Sequence, residues 1–290
     1  MSVARVVPLL FAIALLAIPL ERAHASGGSP ALRSASVLIT DGSGRLVYSK
    51  DADQARPIAS ITKLMTAMVI LDADLDPEQE ITITRNDRDL IQLTGSRLAY
   101  GAVLTRRELL VLALMASENR AANALGRTYP GGMKALVQAM NRKAADLGMS
   151  NSVFRDPAGL DPGNVSTAAD LLKMLNAVEE YPLIRAATTT ASRKVHPYPD
   201  RGPLRYVNTN RLLKNNAWEI QLSKTGYLNE AGRCLVMQAR VDDRDLSVIL
   251  LDSFGKLTPF GDANRLRRWL REQGPESYLA ARETGTGSPD

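Results

Sequence analysis

Trp218-Glu219-Ile220-Gln221-Leu222-Ser223-Lys224-Thr225-Gly226 alternates apolar and polar side chains from Trp218 to Ser223, the period of a half-buried β-strand. Strict alternation puts Trp218, Ile220 and Leu222 on one face, and Lys224 continues it. An ammonium therefore ends an apolar face. Two more strand-like runs follow, Arg233 to Val241 and Leu246 to Asp252, each after a short turn, which reads as an antiparallel meander. Near the other end, Ala35 to Thr40 and Arg45 to Ser49 flank Asp41-Gly42-Ser43-Gly44, a hairpin pattern. Hairpin and meander together supply about five strands for one sheet.

Between them the sequence turns helical. An apolar helix begins near Ser60, and Thr105-Arg106-Arg107-Glu108 is a capping box opening another through Ala116. A third begins near Asn119; Gly131-Gly132 precedes one from Met133 to Leu147 ended by Gly148; and Ser166 is the expected cap of a helix from Thr167 to about Glu179. A last helix, Pro259 to Arg271, follows the meander. The fold class is α/β in an α+β arrangement: a roughly five-stranded antiparallel sheet flanked by helices, with a helical lobe inserted over about residues 73–210. A doubly wound parallel sheet does not fit.

The first residues carry Arg5, an apolar run from Val6 to Leu20 interrupted by Pro8 and Pro19, and Ala23-His24-Ala25 before Ser26. That is the pattern of a cleaved secretory signal over residues 1–25, and the run is short for a membrane span. A flexible segment is expected over 26–34, one main domain over 35–272, and a disordered tail over 273–290. The export pattern sends the chain to the periplasm. Cys234 is the only cysteine, so no intrachain disulfide forms. His24 falls in the leader, leaving His196 alone in the mature chain, in a loop before Pro197. A Ser-His-Asp triad and a histidine-rich metal site are both disfavoured. No cofactor or metal is expected. The net charge of +5 suits an anionic polymer, and nothing points to nucleic acid.

A hydrolase on such a chain needs another base, and serine–lysine pairs are one solution. Ser60-Ile61-Thr62-Lys63 begins an apolar helix, where residues three apart are neighbours and side chains lean toward the N-terminus. Lys63 then points back at Ser60. Burial lowers a lysine pKa toward the neutral amine that accepts a proton, which makes Lys63 the candidate base and Ser60 the candidate nucleophile. A second copy, Ser253-Phe254-Gly255-Lys256, ends a strand and enters a loop, where nothing holds the lysine beside the serine. Ser117-Glu118-Asn119 falls at a helix–helix corner. There Ser117 can relay a proton to a leaving amine and Asn119 can hold a substrate amide, while Glu118 points to solvent or braces the corner. In Lys224-Thr225-Gly226, Thr225 backed by Lys224 can bind a substrate carboxylate, and Gly226 lets an extended peptide approach the strand.

Ser-x-x-Lys, Ser-x-Asn and Lys-Thr-Gly in this order form the signature shared by penicillin-binding proteins and class A β-lactamases. The chain resembles the low-molecular-mass penicillin-binding proteins further, in Arg56-Pro57-Ile58-Ala59-Ser60, Lys63-Leu64-Met65-Thr66-Ala67-Met68, Ser117-Glu118-Asn119-Arg120-Ala121-Ala122, Tyr129-Pro130-Gly131-Gly132 and Asn164-Val165-Ser166-Thr167-Ala168. The resemblance runs from about Ala35 to Arg271 and is greatest to D-alanyl-D-alanine endopeptidases of the penicillin-binding protein 7 type. It implies a β-lactamase/transpeptidase-like fold and cutting of peptidoglycan cross-links between D-alanine and meso-diaminopimelate. Peptidoglycan stem peptides are the implied partners and β-lactams the implied covalent inhibitors. It also implies an oxyanion hole from the backbone N–H groups of Ser60 and Tyr227.

Three alternatives stand beside this reading: a D-alanyl-D-alanine carboxypeptidase, a β-lactamase, and a non-catalytic β-lactam sensor or wall-binding protein. Carboxypeptidases of the related branch add an all-β domain and an amphipathic anchor, for which this chain ends early. The deacylating Glu-x-x-Leu-Asn of class A β-lactamases is missing between the second and third motifs; Glu219-Ile220-Gln221-Leu222-Ser223 lies on the third-motif strand. In the last helix Arg265, Arg267, Arg268 and Arg271 accompany Leu266, Trp269 and Leu270. Its apolar side is expected on the sheet, leaving at most peripheral membrane association.

Overall fold

A computed structural model describes residues 29–273. The strands β1 (Ser36–Asp41) and β2 (Leu46–Lys50) form the N-terminal hairpin, and β3 (Glu219–Leu228), β4 (Gly232–Val241) and β5 (Arg244–Ser253) form the meander. They make one five-stranded antiparallel sheet in the order β2-β1-β5-β4-β3. The first and last strands of the sheet in chain order, β1 and β5, pair with each other, and β3 is left at an edge. Asp41 closes the hairpin by accepting from the backbone N–H groups of Ser43 and Arg45 and from the Ser43 hydroxyl.

Helices cover both faces. One face carries Val37, Ile39, Leu235, Met237, Val248 and Leu250 against Ala263, Leu266 and Leu270 of α7 (Thr258–Gln273). The apolar side of the last helix thus packs on the sheet. The other face carries Leu38, Val236, Ile249 and Leu251 into a larger core with the helical lobe. Both faces of β4 and β5 are buried, hence their nearly unbroken apolar runs.

The lobe begins earlier than the expected residue 73, because α1 (Thr62–Asp72) is packed into its core, and it continues with α2 (Arg106–Met115), α3 (Asn119–Arg127), α4 (Gly132–Asp146), α5 (Ala168–Val178) and α6 (Pro182–Thr189). Thr62 to Ile70 are all buried, so α1 runs through the middle of the lobe. The capping box at Thr105 and Glu108 forms as expected, with Thr105 Oγ1 accepting from Glu108 N at 3.2 Å and Glu108 Oε2 from Thr105 N at 3.1 Å.

Several local expectations need correction. Ser166 does not cap α5; it pairs with Arg56 in a two-residue ladder, and Thr167 accepts from Asp170 N as the cap. The strict alternation of the quoted strand breaks at Gln221, where Gln238 faces Leu222 but Ala239 faces Ile220. This bulge turns Trp218 and Ile220 toward α7 and leaves Leu222 on the lobe side. The flexible segment expected over 26–34 is tied down in its described part. Leu32 and Ser34 are buried, and Asp262 accepts from Arg33 N, Ser34 N and Ser34 Oγ. Helix α6 carries no mark in the sequence reading, although Pro182 stands in its first turn. The leader over 1–25 and the tail beyond Gln273 lie outside the described residues.

Candidate active site

The site forms where α1, the α2–α3 corner and β3 converge. Ser60 sits in a single 3-10 turn, Ala59–Ile61, just ahead of α1, rather than in the α-helix itself. Ala59 has φ +47°, a left-handed conformation that costs a non-glycine residue of order 1 kcal/mol. Two glycines allow the turn to be pressed from both sides. A Cβ on Gly226 would stand 2.9 Å from Ile58 O and 3.1 Å from Ser60 N, and one on Gly159 would stand 2.0 Å from Ala59 O. Strand β3 therefore crosses directly over Ser60.

Lys63 lies one helical turn on and is 1% exposed. Its Nζ is 2.8 Å from Ser60 Oγ, 2.7 Å from Asn119 Oδ1 and 2.5 Å from Ala158 O. Burial lowers its pKa from 10.5 to about 7, against the opposing pull of Asp156, Glu118 and Asp89. The Ala158 carbonyl is aimed by a loop wound around Asp156, whose carboxylate accepts from the N–H groups of Ala158, Gly159, Leu160 and Asp161 and from Asn164 Nδ2.

Ser117 terminates the α2 side of the corner at φ +57°. Its Oγ accepts from Lys224 Nζ at 2.9 Å, and the same ammonium reaches Thr225 O at 2.9 Å. Lys224 is also 1% exposed. Burial, followed by the charge of Lys63, drives its pKa well below the ordinary lysine value. Two lysines thus stand behind two serine hydroxyls. Glu118 braces the corner, accepting from Arg120 N at 3.0 Å, and does not face solvent. Thr225 Oγ1 meets Thr209 Oγ1 at 2.6 Å. Tyr227 is half exposed, with the Arg233 guanidinium 3.5 Å from its ring centre.

Ser60, Ser117, Asn119, Thr225, Gly226 and Tyr227 all line one cleft of about 790 Å³, with the lysines behind its wall. The seven residues singled out from the three motifs are thereby brought together with Tyr227. A second cavity of about 510 Å³ opens beside the β1–β2 turn among Glu179, Gln238 and Asp245, where the Ser43 hydroxyl is spent on Asp41 in closing the turn. The rival Ser253 is fully buried against Ser34 Oγ at 2.7 Å, while Lys256 is exposed. His196 is exposed beyond the strand Ser192–Val195. Among the described residues no three His, Cys, Asp or Glu side chains gather as metal ligands.

Some members of the site carried no separate signal. The Ala158 carbonyl and its Asp156 support lie in the Asp156–Asn164 stretch, whose prolines and glycines marked it only as a structured loop. Thr94 accepts from Asn119 Nδ2 at 2.9 Å from a loop with no motif.

A sequence profile of the S11 peptidases, described as D-alanyl-D-alanine carboxypeptidase, matches residues 23–255. The chain belongs to this family. It is a serine hydrolase with the penicillin-binding fold. The D-alanyl-D-alanine endopeptidase of Pseudomonas aeruginosa is 44% identical over 283 residues, covering 94% of this chain and 88% of that protein. The Escherichia coli D-alanyl-D-alanine endopeptidase is 42% identical over 270 residues, covering 90% and 87%. The crystal structure of the Streptomyces K15 DD-transpeptidase superposes with a TM-score of 0.77 at 27% identity, over 83% of this chain and 98% of that one. For this S11 peptidase the five-stranded sheet and inserted lobe are thus the family architecture, and no described helix is long and apolar enough to cross a membrane.

Proposed function

We propose that this S11 peptidase is an endopeptidase that cuts peptidoglycan cross-links between D-alanine and meso-diaminopimelate through an acyl-enzyme on Ser60, and that it works in the periplasm. The observation that carries the reading is the pair of Lys63 Nζ and Ser60 Oγ, 2.8 Å apart with the lysine buried. A neutral Lys63 takes the Ser60 proton as Oγ attacks the D-alanine carbonyl. The oxyanion is held by the backbone N–H groups of Ser60 and Tyr227, at the place where Gly226 lets the strand close on the turn. The amide then breaks. Its nitrogen takes that proton from Lys63 by way of Ser117, whose hydroxyl Lys224 holds at 2.9 Å, and water then hydrolyses the Ser60 ester, releasing the peptide and restoring the serine. Asn119 holds the donor peptide amide, and Thr225 holds the carboxylate beside the scissile bond.

Endopeptidase action rather than carboxypeptidase action is supported by the names and high identity of the two relatives. The apolar run from Val6 to Leu20 followed by Ala23-His24-Ala25 supports export. β-Lactams enter as substrate mimics that acylate Ser60 and leave slowly. Among the described residues no Asp or Glu lines the cleft, and Asp156 has its oxygens taken up by the N–H groups of its own loop. No carboxylate is thus placed to activate water on the adduct. The test is an intact-mass time course with benzylpenicillin on wild type, Ser60→Ala and Ser253→Ala. A long-lived adduct lost only in Ser60→Ala is expected; no adduct on wild type would leave a binding protein on a peptidase fold.

A further inference from the structure

Lys63 as a base needs its lone pair on Ser60. A neutral amine has two N–H donors and one lone pair, and three acceptors surround Nζ: Ser60 Oγ, Asn119 Oδ1 and Ala158 O. If Asn119 and Ala158 take the donors, the lone pair is left for the serine. The Ala158 carbonyl can only accept, so its choice is fixed. The Asn119 amide can turn over, and then its nitrogen would offer a donor to the lysine and occupy the lone pair.

The orientation of Asn119 is decided one step further out. Its Nδ2 donates to Thr94 Oγ1 at 2.9 Å. A hydroxyl either donates or accepts, so Thr94 selects an amide orientation only if its own proton is committed elsewhere. It is committed to Asp89 Oδ2 at 2.7 Å. Asp89 is 5% exposed, and it is held as an acceptor by further hydrogen bonds from Thr94 N at 2.9 Å, Ile91 N at 2.8 Å and Gln92 N at 2.9 Å. Burial alone would raise its pKa, but these bonds keep it below the ordinary carboxylate range. Gln92 Nε2 also reaches Leu160 O at 3.2 Å, which ties this loop to the one that supplies Ala158.

We propose that Thr94 and Asp89 are positioning residues for the Ser60 reaction: the ionised Asp89 fixes the Thr94 hydroxyl, Thr94 fixes the Asn119 amide, and Asn119 leaves the Lys63 lone pair aimed at Ser60. The proposal rests on the reading of Lys63 as the base. It gives a second task to Asn119, acting on the lysine as well as on substrate, and assigns function to a loop outside the three motifs.

The test is the pH dependence of the acylation rate constant with benzylpenicillin, from about pH 5 to about pH 9, for wild type, Thr94→Val, Thr94→Ala and Thr94→Ser. The charged groups acting on Lys63, namely Asp156, Glu118, Asp89 and Lys224, are retained in all four. In Thr94→Val and Thr94→Ala the high-pH plateau falls about tenfold or more, because the amide no longer has an acceptor to hold its nitrogen. The midpoint moves to lower pH, because an N–H facing Lys63 disfavours the ammonium. Thr94→Ser keeps the hydroxyl and stays near wild type. A uniform loss with an unmoved midpoint, or wild-type profiles in the valine and alanine variants, would overturn the proposal; should the valine variant fail to fold, the smaller alanine carries the test. Failure of wild type to acylate at all would instead overturn the catalytic reading.

Discussion

At the scale of single residues, the pKa of Lys63 near 7 sets the behaviour of the site. The base is the neutral form, so below about pH 7 its fraction, and with it the acylation rate, rises about tenfold per pH unit before levelling above the pKa. Lys63→Arg replaces the amine with a bulkier group that stays protonated, and acylation should fall at least about a hundredfold across the whole pH range. Stopped-flow acylation with a chromogenic β-lactam reads both effects; a pH-independent rate in wild type would show that Lys63 is not the base. Gly226 tests the geometry on the other side of the serine. Its missing Cβ would press on backbone atoms of Ile58 and Ser60, so Gly226→Ala should cost about 1–3 kcal/mol of stability. Acylation should slow as the turn carrying Ser60 is pushed away. Urea unfolding together with acylation kinetics measures the two, and a variant normal in both would mean that the strand does not close on the turn.

At the scale of elements, the segment just ahead of β1 is latched to α7 and β5. Asp262 is fully buried, accepts from Arg33 N, Ser34 N and Ser34 Oγ, and pairs with Arg265. Asp262→Ala strands those donors and should destabilise the fold by about 3–5 kcal/mol, with little effect on acylation, since none of Arg33, Ser34, Asp262 and Arg265 lines the cleft. Thermal unfolding and acylation at a temperature where the variant is folded check this, and a large kinetic defect would place the latch in the catalytic unit. These contacts join residues 228 apart in the chain, which explains why Ser34 reads locally as part of a flexible lead-in. Strand and helix existence was legible because period-two and period-3.6 patterns are local. The bulge at Gln221 was not, because the alternation from Trp218 to Ser223 continues unbroken through it and only pairing with β4 reveals the extra residue. Two of the three motifs were legible because a lysine in an apolar helix and another at the end of an apolar strand are costly without a function, whereas Ser117-Glu118-Asn119 reads alone as an ordinary helix corner and was legible only through its order with the other two. Asp89 and Thr94 look like ordinary loop residues, and their value comes from a contact with Asn119 that sequence spacing does not encode.

At the scale of the whole molecule, the site belongs to neither half alone. The lobe supplies Ser60, Lys63, Ser117 and Asn119, while the sheet edge supplies Lys224, Thr225, Gly226 and Tyr227. The cleft between them is a seam along an edge strand, open to an extended peptide. Such a seam admits a cross-linked substrate, whose leaving group continues as a second peptide strand. The most direct test is to incubate the protein with purified dimeric muropeptides joined by D-alanyl-meso-diaminopimelate bonds and to separate the products. The account predicts conversion to monomers in wild type and none in Ser60→Ala. Intact dimers, or removal only of terminal D-alanine from pentapeptides, would contradict it.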